Sequence, residues 1–511
     1  MISYILRRLV TAVLILFGAS FIVYMMTAFS GDPLGDLYGV PNSERLIAAR
    51  VEALNLDTPP VLRYFDWLGG ALGCLTPFAG TCDLGVTVEG QQVTTLLAGA
   101  MAQTILLVTA GTVLAIVIGI TLGIVSALRQ YSGLDYGVTF FTFLCFSLPS
   151  FWLAVLLKEF VAISFNNFLL DPVASWATIL ALAALVGLGW YVASFGARRT
   201  RLLLGLAGFV LTAAVLWFLL ATNWFQQPAL GIPLIGLTGV LVAVVATFLL
   251  AGLRNRRALR AGLATVAAGL VLYFPLQAVL AGGGLPRVLL LLVAMGALGA
   301  GIGWAFGGHD RGQGVRVAAI TGVLVMGLVV LDRFMQAWPE YLDHGRIRGR
   351  PIATAGSTTP GMSGDFWMTG LDLFTHLLLP TIALTLLALA SYSRYSRASM
   401  LEIMNQDYVR TARAKGVSER SVVTRHAFRN ALIPLATLVA YDIGALIGGA
   451  IITEQVFAFT GMGQLFVSSV HNVDPNPVMG VFLVTGIVAM VFNLVADLVY
   501  SVLDPRVRVK A

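Results

Sequence analysis

The chain has 511 residues, 58% of them hydrophobic and only 11% charged, with a net charge of +7 and a mean hydropathy of +0.87. A water-soluble chain of this length needs far more charge on its surface. Runs of about 20 apolar residues, enough for a ~30 Å hydrocarbon layer, recur throughout. The composition therefore predicts an all-α polytopic membrane protein. Its basic residues fall in short loops between spans, so the positive balance is no argument for nucleic acid.

Arg7 and Arg8 precede the first apolar run, Leu9 to Phe29, and place the N-terminus in the cytoplasm. That run is too long for a signal-peptide core and lacks a small-residue cleavage site, so it reads as a retained anchor. Gly31-Asp32-Pro33 turns the chain outside, and residues 34–98 form an external loop of mixed polarity. Cys74 and Cys82 lie in this loop. An oxidising exterior favours a bridge between them, with two free thiols as the other reading. Gln103 to Leu128 returns and Tyr136 to Phe165 exits, kinked at Pro149. Lys158 and Glu159 should face protein or water rather than lipid.

Six further apolar runs follow, at roughly 174–195, 202–222, 230–252, 261–282, 287–306 and 315–331. Arg198, Arg199 and Arg201 follow the first run, Arg254, Arg256, Arg257 and Arg260 the third, and Arg311 and Arg316 the fifth. The other connections carry only Arg287. The positive-inside rule then puts three basic turns inside. Six is even, so the block leaves and rejoins the same external side. Between 172 and 331 the only acid is Asp310.

Residues 332–370 read as an external segment rich in Gly, Pro and Thr. His376 to Tyr392 re-enters, bent at Pro380, with Arg394 and Arg397 at its inner end. Leu435 to Ile452 exits, 453–478 lie outside, and Val478 to Val502 returns to a C-terminus marked by Asp504-Pro505-Arg506 and Arg508. That gives about twelve spans with both termini in the cytoplasm of a cell that carries the chain in its inner or plasma membrane. Intramembrane acids on opposed spans, which a proton-coupled carrier wants, are nearly absent, Asp442 and Asp497 being the chief exceptions.

The most informative segment is Asp407 to Pro434. Eight Arg or Lys fall between Arg394 and Arg429, against Glu402, Asp407 and Glu419. Such charge belongs in water, and the Ala, Arg, Lys, Glu and Met content favours helix. Gly416 suits the end of such a helix, because it accepts a C-cap conformation that most residues resist. A stiff basic platform between spans suits a contact with a soluble partner; an ordinary positive-inside loop is the commoner reading.

Several of these segments together resemble the inner-membrane permease subunits of ABC importers for dipeptides and oligopeptides, specifically the first permease of the pair. They are Tyr4-Ile5-Leu6-Arg7-Arg8-Leu9, Gly31-Asp32-Pro33, Phe146-Ser147-Leu148-Pro149-Ser150-Phe151-Trp152, Tyr408 to Gly416, His426, Arg429-Asn430-Ala431-Leu432-Ile433-Pro434, Gly448-Gly449-Ala450 with Glu454, and Asp474-Pro475-Asn476-Pro477-Val478. The resemblance covers about 1–170 and 350–511. Arg410-Thr411-Ala412 stands where Glu-Ala-Ala is common in importers, a departure that suits the peptide and nickel subgroup.

The resemblance implies a type I permease core of six spans, plus six inserted ones. The parts would be 1–170, an inserted bundle at 171–340, and 341–511. It further implies a second homologous permease, two ATPase subunits that hold ATP and magnesium, and an extracytoplasmic peptide-binding protein. A short helix at about Ile403 to Lys415 would then sit on an ATPase, coupled through Arg410, Ala412, Arg413, Ala414, Lys415 and Gly416, with Pro149, His426, Asn430, Pro434, Gly448, Gly449 and Glu454 as structural or gating candidates. Glu454 either lines the translocation path or caps a helix entering the outer loop. His426 is expected to make a structural hydrogen bond rather than bind metal. Nickel or another small solute remains an alternative cargo, and a secondary carrier or a membrane scaffold an alternative class. No Gly-rich Walker loop with Lys-Ser or Lys-Thr and no His-Glu-x-x-His occurs, so neither catalysis, a cofactor nor a metal is expected in this chain. His309-Asp310 and Asp343-His344 are isolated pairs.

Overall fold

A computed structural model describes residues 2–75, 82–194, 196–308 and 311–503. Apart from one isolated β-bridge, Val86 with Gln92, the regular structure among them is helical. Among the described residues ten helices are long and apolar enough to cross a membrane, or eleven if one bent pair counts as a span. The protein is an all-α, multi-pass integral membrane protein.

The first long helix, α1 (Ile2–Ala28), carries Arg8 at one end, where it pairs with Asp497 near the far end of the last helix, α21 (Pro475–Leu503). After two shorter helices, α2 (Ser43–Ala53) and α3 (Pro60–Leu75), the chain enters α4 (Val93–Leu128). Tyr64 of α3 is fully buried against Phe17, Phe21 and Tyr24 of α1, and its hydroxyl meets Ser20 at 2.8 Å. That contact lies well down α1, so α3 packs along its apolar body, a placement that length alone did not suggest.

Pro149 does more than kink the third span. The chain forms α5 (Gly133–Ser147), leaves helical geometry at Leu148 and Pro149, and restarts as α6 (Ser150–Leu156). A π-helical turn over Leu157–Ile163 leads to α7 (Ser164–Leu170). Lys158, in this turn, donates to the Val456 carbonyl at 2.9 Å and so faces protein. Glu159 is exposed.

The six runs of the middle block appear as α8 (Trp176–Ala193), α9 (Arg198–Ala221), α10 (Gly231–Leu250), α11 (Arg256–Val271) with α12 (Tyr273–Leu280), α13 (Leu285–Phe306) and α14 (Arg311–Asp343). The fourth run is not straight: α11 and α12 meet at 57°. Helices α8 and α9 form a hairpin beside α5, whereas α10, α11, α13 and α14 pack as a bundle. The expected external start at residue 332 needs correction. Helix α14 continues to Asp343 because Phe334, Trp338 and Tyr341 still find apolar neighbours there. Pro339 lies within it.

Helix α15 (Phe366–Met404) is far longer than the expected His376–Tyr392 and stays helical through Pro380. It starts at an Asp365 cap, whose carboxylate accepts the Trp367 and Met368 amides at 3.0 and 2.9 Å. It packs along α4, with Thr385 donating to the Gly111 carbonyl. The short helices α16 (Asp407–Ala414) and α17 (Glu419–Ser421) and a π turn lead to α18 (Phe428–Gly449), then to α19 (Ile451–Val456) and α20 (Met462–His471). Gly448 and Gly449 lie in the last turn of α18. Asp504, Pro505, Arg506 and Arg508, with His309 and Asp310, lie outside the described residues.

Candidate functional site

The basic segment folds into a bracket. Helix α15 stops at Met404, about three turns beyond the expected end at Tyr392, and Asn405 and Gln406 redirect the chain. The platform helix is therefore α16, Asp407–Ala414, not the expected Ile403–Lys415; Ile403 and Met404 belong to α15. One face of α16 is apolar. Val409 is fully buried and Ala412 nearly so, packed against Ile403, Met404, Val417 and Val422. Arg410, Arg413, Ala414 and Lys415 are on exposed faces.

Gly416 ends the helix with φ +75°, the left-handed region that costs a residue with a Cβ about 1 kcal/mol or more. The turn lets Val417 fold back onto Ala412, its amide reaching the Ala412 carbonyl at 3.2 Å. Arg413 then grips Glu419 with two bonds of 3.1 and 2.7 Å. The guanidinium holds the Glu419 carboxyl below its usual range. Both groups are exposed, so this pair sets geometry more than stability.

The bracket is tied to the spans on both sides. Asn430, on α18, donates to the Tyr408 hydroxyl at 3.0 Å and to the His426 carbonyl at 3.1 Å. His426 contributes that backbone acceptor from the π turn, while its ring is exposed. Ser399 of α15 donates to the Ala431 carbonyl at 3.0 Å. Pro434 lies inside α18 just beyond. These contacts join α16 to α18 and α18 to α15, and α16 packs on the end of α15.

Sequence reasoning missed one residue here, Asp135. It is 2% exposed and receives Arg397 of α15 through Nε and Nη2 at 2.9 and 3.0 Å. It also bonds Ser126 of α4 and accepts the Tyr131 amide at 3.0 Å. One carboxylate thus joins three helices at the end of the molecule that carries the platform. The spacing Ser132-Gly133-Leu134-Asp135 was a legible N-cap pattern, and the Ser132 hydroxyl does accept the Asp135 amide.

At the opposite end, Glu454 is fully buried. Its Oε1 accepts from the Thr104 hydroxyl at 2.6 Å and its Oε2 from the Gln464 amide at 3.0 Å. It accepts from the first turn of α20 and ties it to α4. Asp474 holds the hairpin of the external loop: its Oδ2 accepts the Val88 amide, and Asn476 donates to the Val86 carbonyl, each at 2.8 Å. Burial pushes the Asp474 carboxyl up to about 6. Cys74 and Cys82 are joined in a disulfide just before that hairpin. Gly31-Asp32-Pro33 lies beside this joint, with Val473 against Gly31.

Two small cavities open on the surface, one of about 260 Å³ between Tyr24, Pro33, Arg63 and Asn476, and one of about 220 Å³ between Thr142, Phe143, Arg394 and Arg397. In the second, the Arg394 guanidinium lies 3.9 Å from the Phe146 ring centre. No group of three or more metal-ligating side chains occurs among the described residues.

Residues 317–509 match the family described as binding-protein-dependent transport system inner membrane component. The chain is 43% identical over 154 residues to the oligopeptide transport system permease protein OppB of Mycobacterium tuberculosis, which is 30% of this chain and 47% of that protein. It is 49% identical over 169 residues to a putative peptide permease protein of Brucella ovis, 33% of this chain and 51% of that protein. At lower identity, 23%, a match to the oligopeptide transport system permease protein AppB of Bacillus subtilis runs over 508 residues and 99% of each chain. The chain spans about half the length of the first two relatives at the higher identities. The matched family segment contains the whole of α15 to α20, hence the bracket, the Asp135 partner Arg397, and Glu454. Over residues 317–509 the chain is thus similar to the binding-protein-dependent transport system inner membrane components, and over parts of its length it is similar to proteins named as peptide permeases.

Proposed function

We propose that this chain is the transmembrane permease subunit of an ATP-driven importer that moves di- or oligopeptides into the cytoplasm. The observation that carries the reading is α16. It is an eight-residue helix with an exposed basic face, clamped to two long spans and lying within the family segment. A soluble ATPase that pushed on it would rock α15 and α18. Arg410, Arg413 and Lys415 present charge that orients such a partner more than it binds it.

The bracket and the arginine turns share one end of the molecule, which on the positive-inside rule is the cytoplasmic end, with both termini there. Helices α1, α4, α5 with α6 and α7, α15, α18 and α21 would form the six-span core, and 171–340 the insertion. The peptide path would then lie between this core and a second, homologous permease. A binding protein would deliver peptide at the opposite end, and ATP with magnesium would sit on partner subunits.

The decisive experiment is uptake of a labelled di- to pentapeptide series into vesicles that carry the full complex. ATP-dependent uptake, lost in Gly416→Asp with the complex still assembled, is expected. A cysteine at position 413 should crosslink to a co-expressed ATPase subunit. ATPase activity without peptide uptake would move the cargo to nickel or another small solute. Uptake driven by a proton gradient without ATP would overturn the reading in favour of a secondary carrier.

A further inference from the structure

The middle block carries a cluster of six arginines, with Asp310 the one acid between 172 and 331, that the transport reading leaves unused. Arg254, Arg256, Arg257 and Arg260 stand at the start of α11, and Arg311 and Arg316 at the start of α14. These two starts are held side by side. Asn255 donates to the Gln313 side chain at 3.1 Å, Ala258 packs on Val317, and the Arg257 guanidinium lies against Gly308. All six arginines are exposed. Among the described residues none of them pairs with a carboxylate.

The other basic turn of the block is different. Arg201 donates to the Tyr191 carbonyl at 3.2 Å and stacks on its ring at 4.5 Å, so its charge is partly satisfied within the protein.

The cluster also opposes local physics. Cations in the first turn of a helix face the positive end of its dipole and are unfavourable there; neither α11 nor α14 has an acid in its first turn. An anion between the two starts would offset both costs. The same level of the bundle is apolar outside: Leu250, Leu253, Trp304 and Phe306 are 44%, 51%, 60% and 48% exposed. Arg311 lies 4.8 Å over the Trp304 ring, so cation and apolar rim are continuous. A soluble anion would use only the arginines. A ligand that matches charge and rim together has a negative headgroup and acyl chains.

We infer that the α11–α14 end of the inserted bundle is a binding site for an anionic phospholipid, its phosphate held among Arg256, Arg257, Arg311 and Arg316 and its chains against Trp304 and Leu253. This stands whether or not the cargo is peptide, because none of these residues belongs to the platform or the core spans.

The test uses the full-length chain in the complex with which it purifies, reconstituted into nanodiscs of phosphatidylcholine with or without phosphatidylglycerol. Phosphatidylglycerol should raise the melting temperature, and native mass spectrometry should find it retained. The variant R256Q/R257Q/R311Q/R316Q should lose both effects, at about fivefold in lipid enrichment per arginine removed. R198Q/R199Q should keep them. If the fourfold variant fails to insert, R257Q and R311Q singly should each show the fivefold step. Enrichment unchanged in these variants overturns the site. An equal shift from inorganic phosphate in phosphatidylcholine discs, or from an acidic peptide, overturns the lipid assignment.

Discussion

Helix pairs α4–α15 in the core and α13–α14 in the inserted block approach equally closely, but they are secured differently. In both, a small residue lets backbones touch: a methyl on Gly123 would collide with the Ser393 carbonyl, and one on Gly299 with the Ala318 carbonyl. The core then adds buried carboxylates at several junctions between elements. Asp135 joins α4, α5 and α15; Glu454 joins α4 to α20; Asp372, with Tyr341, Thr375 and Thr359, joins α14 and α15. The block concentrates its buried acid at one place. Asp332 accepts the Leu230 and Gly231 amides at 2.7 and 3.0 Å, the Tyr273 hydroxyl at 2.6 Å, and the Gln277 and Gln336 side chains at 3.3 and 2.8 Å. Elements that must keep register while helices shift need directional bonds. A bundle packed through Gly, Ala and Val needs a single staple.

The strongest way to break this comparison is Asp332→Ala. It strips the Leu230 and Gly231 amides and the Tyr273 hydroxyl of their acceptor, while Gln277 and Gln336 keep the Val329 carbonyl and the Tyr273 hydroxyl, and should cost about 3–5 kcal/mol of the bundle's stability, read as a lower thermal midpoint of the detergent-purified protein. A change below about 1 kcal/mol would mean that apolar packing alone holds the block.

Glu454→Ala comes next. It strips the Thr104 hydroxyl and the Gln464 amide of their acceptor and should cost about 2–3 kcal/mol, with faster hydrogen exchange confined to α20. Exchange that spread instead through α15 would show that the core junctions are not separable.

Replacing Cys74 and Cys82 by Ser reopens a small external loop and should cost about 2 kcal/mol. Alkylation before reduction, followed by intact mass, should modify Cys145 alone in the wild type; three modified thiols would contradict the bridge.

The last prediction is a pH effect at one joint. The Asp474 carboxyl is raised from 3.8 to about 6 by burial, so the folded joint keeps its proton longer than the unfolded chain does. Its stability is fullest in acid and falls as pH rises through about 6. Hydrogen exchange at Val88 should quicken over that interval, and Asp474→Asn should flatten the profile. An unchanged profile in the variant would place the titration elsewhere.

The core and the block also differ in how much of each could be read in advance. Six apolar runs between 174 and 331 became the helices α8 to α14 near their expected places, because twenty apolar residues in lipid have little choice but helix. The basic segment was legible as a platform from its charge. Its helix began four residues later than expected, since Ile403 and Met404 continue α15 to cover Val409 and Val422. The end of α14 was misplaced for a related reason: Tyr341 is polar enough to read as loop, yet its hydroxyl is satisfied by Thr375 at 2.8 Å.

Sequence by itself determined the class, the rough places of the apolar runs, the basic segment and the family likeness, all of which follow from local composition or from contiguous motifs; about twelve spans were expected, and ten or eleven helices among the described residues are long and apolar enough to cross. Tertiary structure alone decided which polar groups are joints. Asp135 and Arg397 are 262 positions apart, Thr104 and Glu454 350, and Val88 and Asp474 386. In a low-dielectric interior a carboxylate is tolerated only where several donors converge on it. Convergence of donors from distant parts of the chain is a property of the packed helices, and no window of sequence contains it.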